Sequence, residues 1–305
     1  MQIKDTGAER TGTERIGTQP SAGWAWHLNA GNLWNLPTSS SAPRTDAGDI
    51  DYAAIRATGF TAIQRNAPDD AVLAAGLAMT GMGQLLDPAD ADALARQHAE
   101  WGFASSTWHV GTGFESDAEM DALAGAVLDA SARHGLPIHV ETHRATMTQD
   151  MRRTLDLVER FPDLRFTADL SHWYTGAEMT YGDIDAKIAR LAPVFERVRY
   201  IHGRIGTPCC AQVPVTQGDT RPFVQHFRTM WAACLSGFQR TAPEGATLPF
   251  APELLPYGGE FDGVMYTVYY ARDIGNTGGS GEEESDRWTQ ALLLRDIACS
   301  VAEQP

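Results

Sequence analysis

The chain has 305 residues, of which 43% are hydrophobic, and its formal net charge is −15. This size and apolar content allow one large domain or two smaller ones, each with a buried core. An acidic surface repels phosphate backbones, so nucleic acid is not expected as a partner. No segment has the roughly 18 continuous apolar residues of a membrane span, so no membrane insertion is expected either.

The beginning of the chain is polar and lacks the apolar core of a signal peptide. We expect residues 1–20 to be a flexible leader and residues 21–305 to be one catalytic domain. The four cysteines include no C-x-x-C pair, so a zinc ribbon is not indicated and a reducing compartment is the simple interpretation. These features together predict a cytoplasmic protein.

Short apolar segments alternate with longer amphipathic ones along the chain. The segments with strand character are 23–30, 60–66, 77–85, 103–111, 136–144, 164–173, 198–206 and 248–256. The helical segments that follow them are 51–59, 68–76, 87–102, 116–135, 148–162, 182–197, 221–240 and 284–303. The clearest boundaries belong to 116–135, where Ser116 and Glu119 have the spacing of a capping box and Gly135 is a stop signal.

This alternation indicates parallel βαβ units, and eight units at this length predict an α/β fold, a single (β/α)₈ TIM barrel. A doubly wound open sheet is the alternative. The turn after the first strand, NAGNLWN, lacks the G-x-G-x-x-G pattern expected there in that fold. Two longer loops, 207–220 and 273–286, interrupt the rhythm, and we expect them to shape specificity.

Ionisable residues gather at the ends of the last four predicted strands. They are Glu141, Asp169, His202 and Glu253. Their spacing follows the ~30 residues of a βα unit, and the longer last interval contains the 207–220 loop. Because active sites of TIM barrels form at the C-terminal strand ends, these side chains should converge at the barrel mouth.

Three carboxylates in one cleft repel one another, and a divalent cation removes that conflict. Two Glu, one Asp and one His offer oxygen and nitrogen ligands that suit Mn²⁺, Mg²⁺, Co²⁺ or Zn²⁺. A single strand-end carboxylate is more often a helix cap or an ion-pair partner. Four such groups at the ends of four consecutive predicted strands favour one metal site.

Other polar and aromatic residues lie near the same strand ends. His143, Arg144, His172 and Arg204 would orient metal ligands or hold substrate oxygens. For His27, Gln64 and His109, a place in the pocket wall and a structural role are equally consistent with the sequence. The tryptophans Trp24, Trp26 and Trp173 either stack on a sugar or pack in the core.

The segments HVETHR, TADLSHW, IHGR and FAPELLP resemble the xylose isomerase-like TIM barrels, the sugar phosphate isomerase/epimerase superfamily. The resemblance covers roughly residues 20–303. The metal ligands that it implies are Glu141, Asp169, His202 and Glu253. The residues expected to contact the substrate are His109, His143, Arg144, His172, Trp173 and Arg204.

The pattern departs from two relatives within this superfamily. Xylose isomerase itself binds two metals with more carboxylates, and endonuclease IV uses three zinc ions with additional histidines. Neither full set is present here. The sequence therefore resembles a branch with one divalent metal ion, and the resemblance leaves a homodimer open, since related barrels often dimerise.

The leading hypothesis is metal-assisted proton transfer next to the carbonyl of a small-molecule sugar or cyclitol. Glu141 and Glu253 would act as the two bases, one removing a proton from carbon and the other returning it, which makes an isomerase or epimerase. With a leaving group β to the carbanion, the same site would be a lyase or dehydratase acting on a keto-sugar or a 3-keto-glycoside. A non-catalytic sugar-binding barrel is the third alternative.

Overall fold

The computed structural model describes residues 23–256, 258–261, 263–267 and 283–302. Eight parallel strands form a closed barrel, arranged in the order of the chain. They are β1 (Trp24–Asn29), β2 (Ala62–Arg65), β3 (Ala78–Leu85), β4 (Ser106–Val110), β5 (Ile138–Glu141), β6 (Phe166–Ala168), β7 (Val198–Gly203) and β8 (Leu248–Pro252). The barrel closes where β8 pairs with β1, with Trp24 opposite Leu248. The predicted (β/α)₈ barrel is confirmed, and the open sheet is excluded.

Helices connect the strands. They are α1 (Tyr52–Ala57), α2 (Asp70–Ala74), α3 (Ala91–Glu100), α4 (Asp117–His134), α5 (Met151–Arg160), α6 (Leu170–Gly176), α7 (Ile184–Arg190), α8 (Ala192–Phe195), α9 (Pro222–Thr241) and α10 (Arg287–Ala302). Short 3₁₀ turns, Ala30–Leu33 and Pro88–Asp90, follow β1 and β3. After β8 comes an antiparallel hairpin that the sequence did not predict, β9 (Gly258–Phe261) with β10 (Val264–Thr267).

Two of the segments discussed from the sequence lie wholly or mostly outside the residues that the structure describes. The proposed leader at 1–20 lies outside the described residues, as does most of the 273–286 loop. Within the described part of the chain, none of the helices is both long enough and apolar enough to cross a bilayer.

Helix α4 shows how local sequence sets the element boundaries. Ser116 Oγ accepts the Glu119 N–H, and the Glu119 carboxylate accepts the Ser116 N–H at 2.8 Å. The helix ends at Gly135, whose φ of 61° is left-handed. A cap of this kind stabilises a helix by about 1 kcal/mol. The boundaries predicted for this helix are therefore confirmed.

The segment 164–173 differs from its prediction as one strand. Strand β6 ends at Ala168, and α6 begins at Leu170. Asp169 caps the new helix, because its Oδ1 accepts the N–H of Ser171 at 3.0 Å. A carboxylate in this position favours the start of a helix, because it satisfies one of the free N–H groups of the first turn. The prediction of a strand was therefore wrong for the second half of this segment.

The predicted helix 182–197 is divided. The chain breaks it at Leu191 into α7 and α8, with a proline in the first turn of α8. Proline lacks the N–H that a continuous helix needs, which explains the break.

The close packing of β7 on β8 depends on a glycine between two site residues. A Cβ atom added to Gly203 would lie 2.4 Å from the ring of Phe250. No larger residue fits without displacing that ring, which is fully buried. Gly203 therefore brings the end of β7, with His202 and Arg204, against the end of β8.

Candidate metal site

Four ionisable side chains converge at the C-terminal mouth of the barrel. Glu141 is the last residue of β5, Asp169 follows β6 directly, His202 lies near the end of β7, and Glu253 follows β8 directly. All four are buried, with exposures between 0 and 6%. Each offers one ligand atom, and these four atoms all lie within 4.8 Å of one another. The arrangement follows from the parallel strands, whose ends lie at the same level.

The orientation of His202 is set by an amide from the opposite side of the barrel. Its Nε2 donates to Gln64 Oε1 at 2.8 Å, and Asn29 Nδ2 donates to the same oxygen at 3.0 Å. Neutral His202 therefore carries its proton on Nε2 and presents the lone pair of Nδ1. This Nδ1 atom lies 3.2 Å from Glu253 Oε2 and 3.5 Å from Glu141 Oε1.

Each glutamate has one oxygen held by the protein and one directed toward His202. Glu141 Oε2 pairs with His109 Nε2 at 2.9 Å. Glu253 Oε1 accepts a hydrogen bond from Asn29 Nδ2 at 3.2 Å. Hydrogen bonds of this kind orient a carboxylate before any ligand binds. The oxygens that remain, Oε1 of Glu141 and Oε2 of Glu253, face the common centre.

Asp169 divides its oxygens in the same manner. Oδ1 accepts from the N–H of Ser171 and from Ser171 Oγ, the latter at 2.6 Å. Oδ2 accepts a hydrogen bond from Arg204 Nη2 and lies 3.5 Å from His172 Nε2. Because Ser171 engages Oδ1 twice, Oδ2 is the candidate ligand atom of Asp169.

The charges of these buried groups depend on one another. Burial alone would raise the pKa of Glu141, but His109 and His202 hold it well below its usual value. Burial would lower the pKa of His202, yet Glu253 and Glu141 raise it well above the usual range. For Asp169, burial is outweighed by Arg204 and His172, which lower its pKa. The carboxylates of Glu141 and Asp169 are thus held in the charged form by the groups beside them.

Two atoms of the cluster show that a cation fits. Among the described residues, His202 Nδ1 and Glu253 Oε2 are buried side-chain atoms without a hydrogen-bond partner. An unsatisfied buried polar atom costs about 1–3 kcal/mol. Both atoms face the common centre, where a divalent ion would satisfy them. The donor set, three carboxylates and one imidazole nitrogen, also matches the ligands that such ions prefer.

A cavity of about 150 Å³ opens over this cluster. Glu141 and Glu253 line it, together with Trp34, His109 and His172. A larger groove of about 720 Å³ lies along α5 and α7 on the outside of the barrel, and none of the four converging groups lines it. The smaller cavity is therefore the one connected with the candidate chemistry.

No protein-family model matches the sequence, and no curated protein matches it significantly. Solved structures do match in three dimensions. A xylose isomerase domain protein from Planctomyces limnophilus superposes with a TM-score of 0.51 at 14% identity, over 92% of this chain and 100% of its own. A sugar phosphate isomerase/epimerase from Parabacteroides distasonis gives 0.52 at 13%, over 95% and 96%. The chain has the xylose isomerase-like TIM-barrel fold.

A third similar structure is a D-tagatose 3-epimerase-like protein, with a TM-score of 0.51 at 10% identity, over 92% of this chain and 98% of its own. At identities this low, structural likeness establishes the fold and leaves the activity to be argued from the site. The fold that the sequence resemblance implied is confirmed.

In this xylose isomerase-like barrel, the residues expected to contact substrate fall into two groups. The cavity wall contains His109, His143, His172 and Arg204. Arg144 is exposed and is not part of that wall. Trp173 is buried, and its Nε1 donates to the carbonyl of Thr148 at 2.7 Å. Contact of Arg144 and Trp173 with a substrate stays a prediction, without support from their positions.

Three histidines pack against one another along one wall. The ring centroids of His109 and His143 are 4.3 Å apart, and those of His143 and His172 are 3.9 Å apart. Nδ1 of His143 accepts the N–H of Ala145 at 3.2 Å, so neutral His143 carries its proton on Nε2. Burial lowers the pKa of His143 to about 4, which keeps it neutral at pH 7.

This tautomer bears on a second cluster, in which His109, Glu141 and His143 also offer atoms within 4.8 Å of one another. With one nitrogen of His143 accepting and the other protonated, its ring has no lone pair left for a metal. The second cluster therefore suits hydrogen bonding to substrate better than metal ligation.

Several supporting residues were not identified from the sequence. Asn29 holds Glu253, Ser171 holds Asp169, and Trp34, at 46% exposure, forms part of the cavity wall. Asn29 carries a signal in retrospect, since it is a polar residue at a strand end. Ser171 and Trp34 lie in a helix start and a loop, where serine and tryptophan have many ordinary roles.

Proposed function

We propose that the protein is a divalent-metal-dependent isomerase or epimerase that acts on a sugar or cyclitol by proton transfer through an enediolate. The observation that carries the proposal is the pair Glu141 and Glu253. Each is buried at the barrel mouth, and each keeps one oxygen on a protein donor and the other toward a shared centre. Fold neighbours named as a sugar phosphate isomerase/epimerase and as an epimerase-like protein support this class.

The residues that would hold the ion are Glu141, Asp169, His202 and Glu253. A divalent ion bound there supplies positive charge that stabilises the negative charge developing on substrate oxygens during enolisation. His202 is suited to this role because Gln64 keeps its proton on Nε2 and leaves Nδ1 for ligation.

Proton transfer is assigned to the two glutamates. Glu141 ends β5 and Glu253 follows β8, three strands further around the barrel, so they reach a bound substrate from different sides. One carboxylate removes a proton from carbon, and the other returns it to the opposite face or to the neighbouring carbon. These two outcomes are epimerisation and isomerisation.

Substrate oxygens are assigned to the donors of the cavity wall. Arg204 and the Nε2–H of His143 are donors at neutral pH, and both residues line the cavity. His172 lies beside them, with its ring against that of His143. Donors on this side hold hydroxyl or carbonyl oxygens and keep the reacting carbon near the glutamates.

The test is incubation of purified protein with a panel of keto-sugars and cyclitol ketones in D₂O, after metal analysis of the protein. We expect the wild type to contain bound divalent metal and to incorporate deuterium at the carbon next to the carbonyl. The Glu141→Gln variant should lose both the metal and the deuterium incorporation. An enone product would instead indicate elimination, and the enzyme would then be a lyase. Protein without metal, or full activity in Glu141→Gln, would disprove the proposed function.

A further inference from the structure

The guanidinium of Arg204 lies inside the cluster of candidate ligands. The side chain is 1% exposed, and its Nη2 donates to Asp169 Oδ2. The same nitrogen lies 2.9 Å from His172 Nε2 and 3.8 Å from Glu253 Oε2. A positive group of the protein is thus directed between two of the carboxylates that would hold the ion.

The oxygen that Arg204 contacts is the one that a metal would need. Asp169 Oδ1 is already bonded twice by Ser171, through the backbone N–H and through Oγ. Arg204 Nε donates to the same Ser171 Oγ at 3.0 Å, so the guanidinium is held in this position from two sides. Oδ2 is then the candidate ligand atom of Asp169, and it accepts the hydrogen bond from Arg204.

We propose that Arg204 competes with the metal ion for Asp169. In the metal-free protein the guanidinium neutralises Asp169, and it leaves Oδ2 when the ion binds. The released guanidinium then faces the cavity, where it is available to a substrate oxygen. Metal binding therefore precedes and prepares substrate binding. This inference rests on the proposed metal-dependent function.

An arginine that only oriented the metal ligands would have the opposite effect on metal affinity. A hydrogen bond that merely orients a metal-ligating carboxylate strengthens metal binding, and its removal weakens affinity by about 10–100-fold. A competing arginine weakens metal binding, and its removal strengthens it. The sign of the change in metal affinity therefore distinguishes the two roles.

The experiment is a calorimetric titration of metal-stripped protein with Mn²⁺ alone, for the wild type, Arg204→Gln and the control Arg96→Gln on the exposed face of α3. We expect Arg204→Gln to bind Mn²⁺ about 10-fold more tightly, the effect of removing one charged hydrogen bond to the ligand. The metal-free Arg204→Gln variant should also melt at a lower temperature and gain more from Mn²⁺ than the wild type. Arg96→Gln should match the wild type in both measurements.

If folded Arg204→Gln binds Mn²⁺ as the wild type does, or more weakly, the proposal that Arg204 competes with the ion is rejected. If this variant folds only with metal, its affinity is measured by withdrawing Mn²⁺ with a chelator of known affinity, and the same comparison applies. Equal affinities of wild type and variant leave the proposed function standing and reject this inference alone. Absence of Mn²⁺ binding in both proteins rejects both.

Discussion

The two halves of the barrel mouth contribute different chemistry to one site. Strands β5 to β8 end in the four ionisable groups that converge there. Strands β1, β2 and β4 contribute Asn29, Gln64 and His109, which hold Glu253, His202 and Glu141 through hydrogen bonds. One half supplies the four candidate ligands, and the other half orients three of them.

The difference has an electrostatic reason. Carboxylates and imidazole change charge with pH and with metal, so a cluster made only of such groups would rearrange in each state. The amides of Asn29 and Gln64 keep the same donors and acceptors in every state. Asn29 Oδ1 accepts the N–H of Gly31 at 2.7 Å, so Asn29 Nδ2 is the donor to Gln64 Oε1, which fixes the end of the Gln64 amide that faces His202.

The largest effect is expected from a change in the ligand half. Glu253→Gln removes one charge from the cluster and a proposed base, while its shape is preserved. We expect turnover of whichever keto-sugar the wild type accepts to fall on the order of 10³-fold. The matched control is Glu100→Gln at the end of α3. Comparable activity in Glu253→Gln and wild type would remove Glu253 from the chemistry.

A smaller effect is expected from the orienting half. Gln64→Met removes the acceptor that keeps the His202 proton on Nε2, and we expect metal affinity to fall by about 10–100-fold. Calorimetric titration measures it, with Gln97→Met on the surface of α3 as control. A Gln64→Met protein with wild-type affinity would show that the two halves are independent.

Below the mouth, histidines of the two halves should make stability depend on pH in the same direction. His139 on β5 is buried, and burial with nearby Arg199 and Arg165 lowers its pKa to about 3. His27 on β1, within 3.3 Å of the Tyr200 hydroxyl, has its pKa lowered by burial to about 4. Both are neutral in the folded protein, and the unfolded chain takes up their protons near pH 6.5. Stability is therefore present above that pH and is lost as the pH falls toward 4.

For His139 alone, the loss between pH 7 and pH 5 is about 2 kcal/mol, and partly exposed His27 should contribute less in the same direction. Urea unfolding at the two pH values measures this. His139→Gln should lose less stability over the interval than the wild type. A pH dependence identical to that of the wild type would show that His139 is not the group responsible.

The smallest effects concern one tryptophan from each half. Trp173→Phe removes the hydrogen bond to the Thr148 carbonyl, so we expect about 1 kcal/mol lower stability and an unchanged KM. Trp34→Phe, in the wall of the cavity, should change KM and leave the melting temperature nearly unchanged. A raised KM in Trp173→Phe would place that residue against the substrate, as the sequence suggested.

The sequence by itself determined the fold and placed the candidate ligands at one level of the barrel, at the C-terminal ends of the strands. Alternating strand and helix patterns predict a barrel because each apolar strand must be covered by the helix that follows it. A residue at the end of such a strand lies at the mouth whatever its neighbours are. The convergence of Glu141, Asp169, His202 and Glu253 was therefore predictable from spacing along the chain.

Only the tertiary structure decided how those groups face one another. Gln64 and His202 are separated by 138 residues, yet their contact sets the tautomer of the imidazole. The contact of Arg204 with Asp169 and the burial of Trp173 likewise depend on how α6 begins and packs. Such pairings arise from side chains that meet across the barrel, and no local pattern in the chain encodes which atoms of those side chains meet.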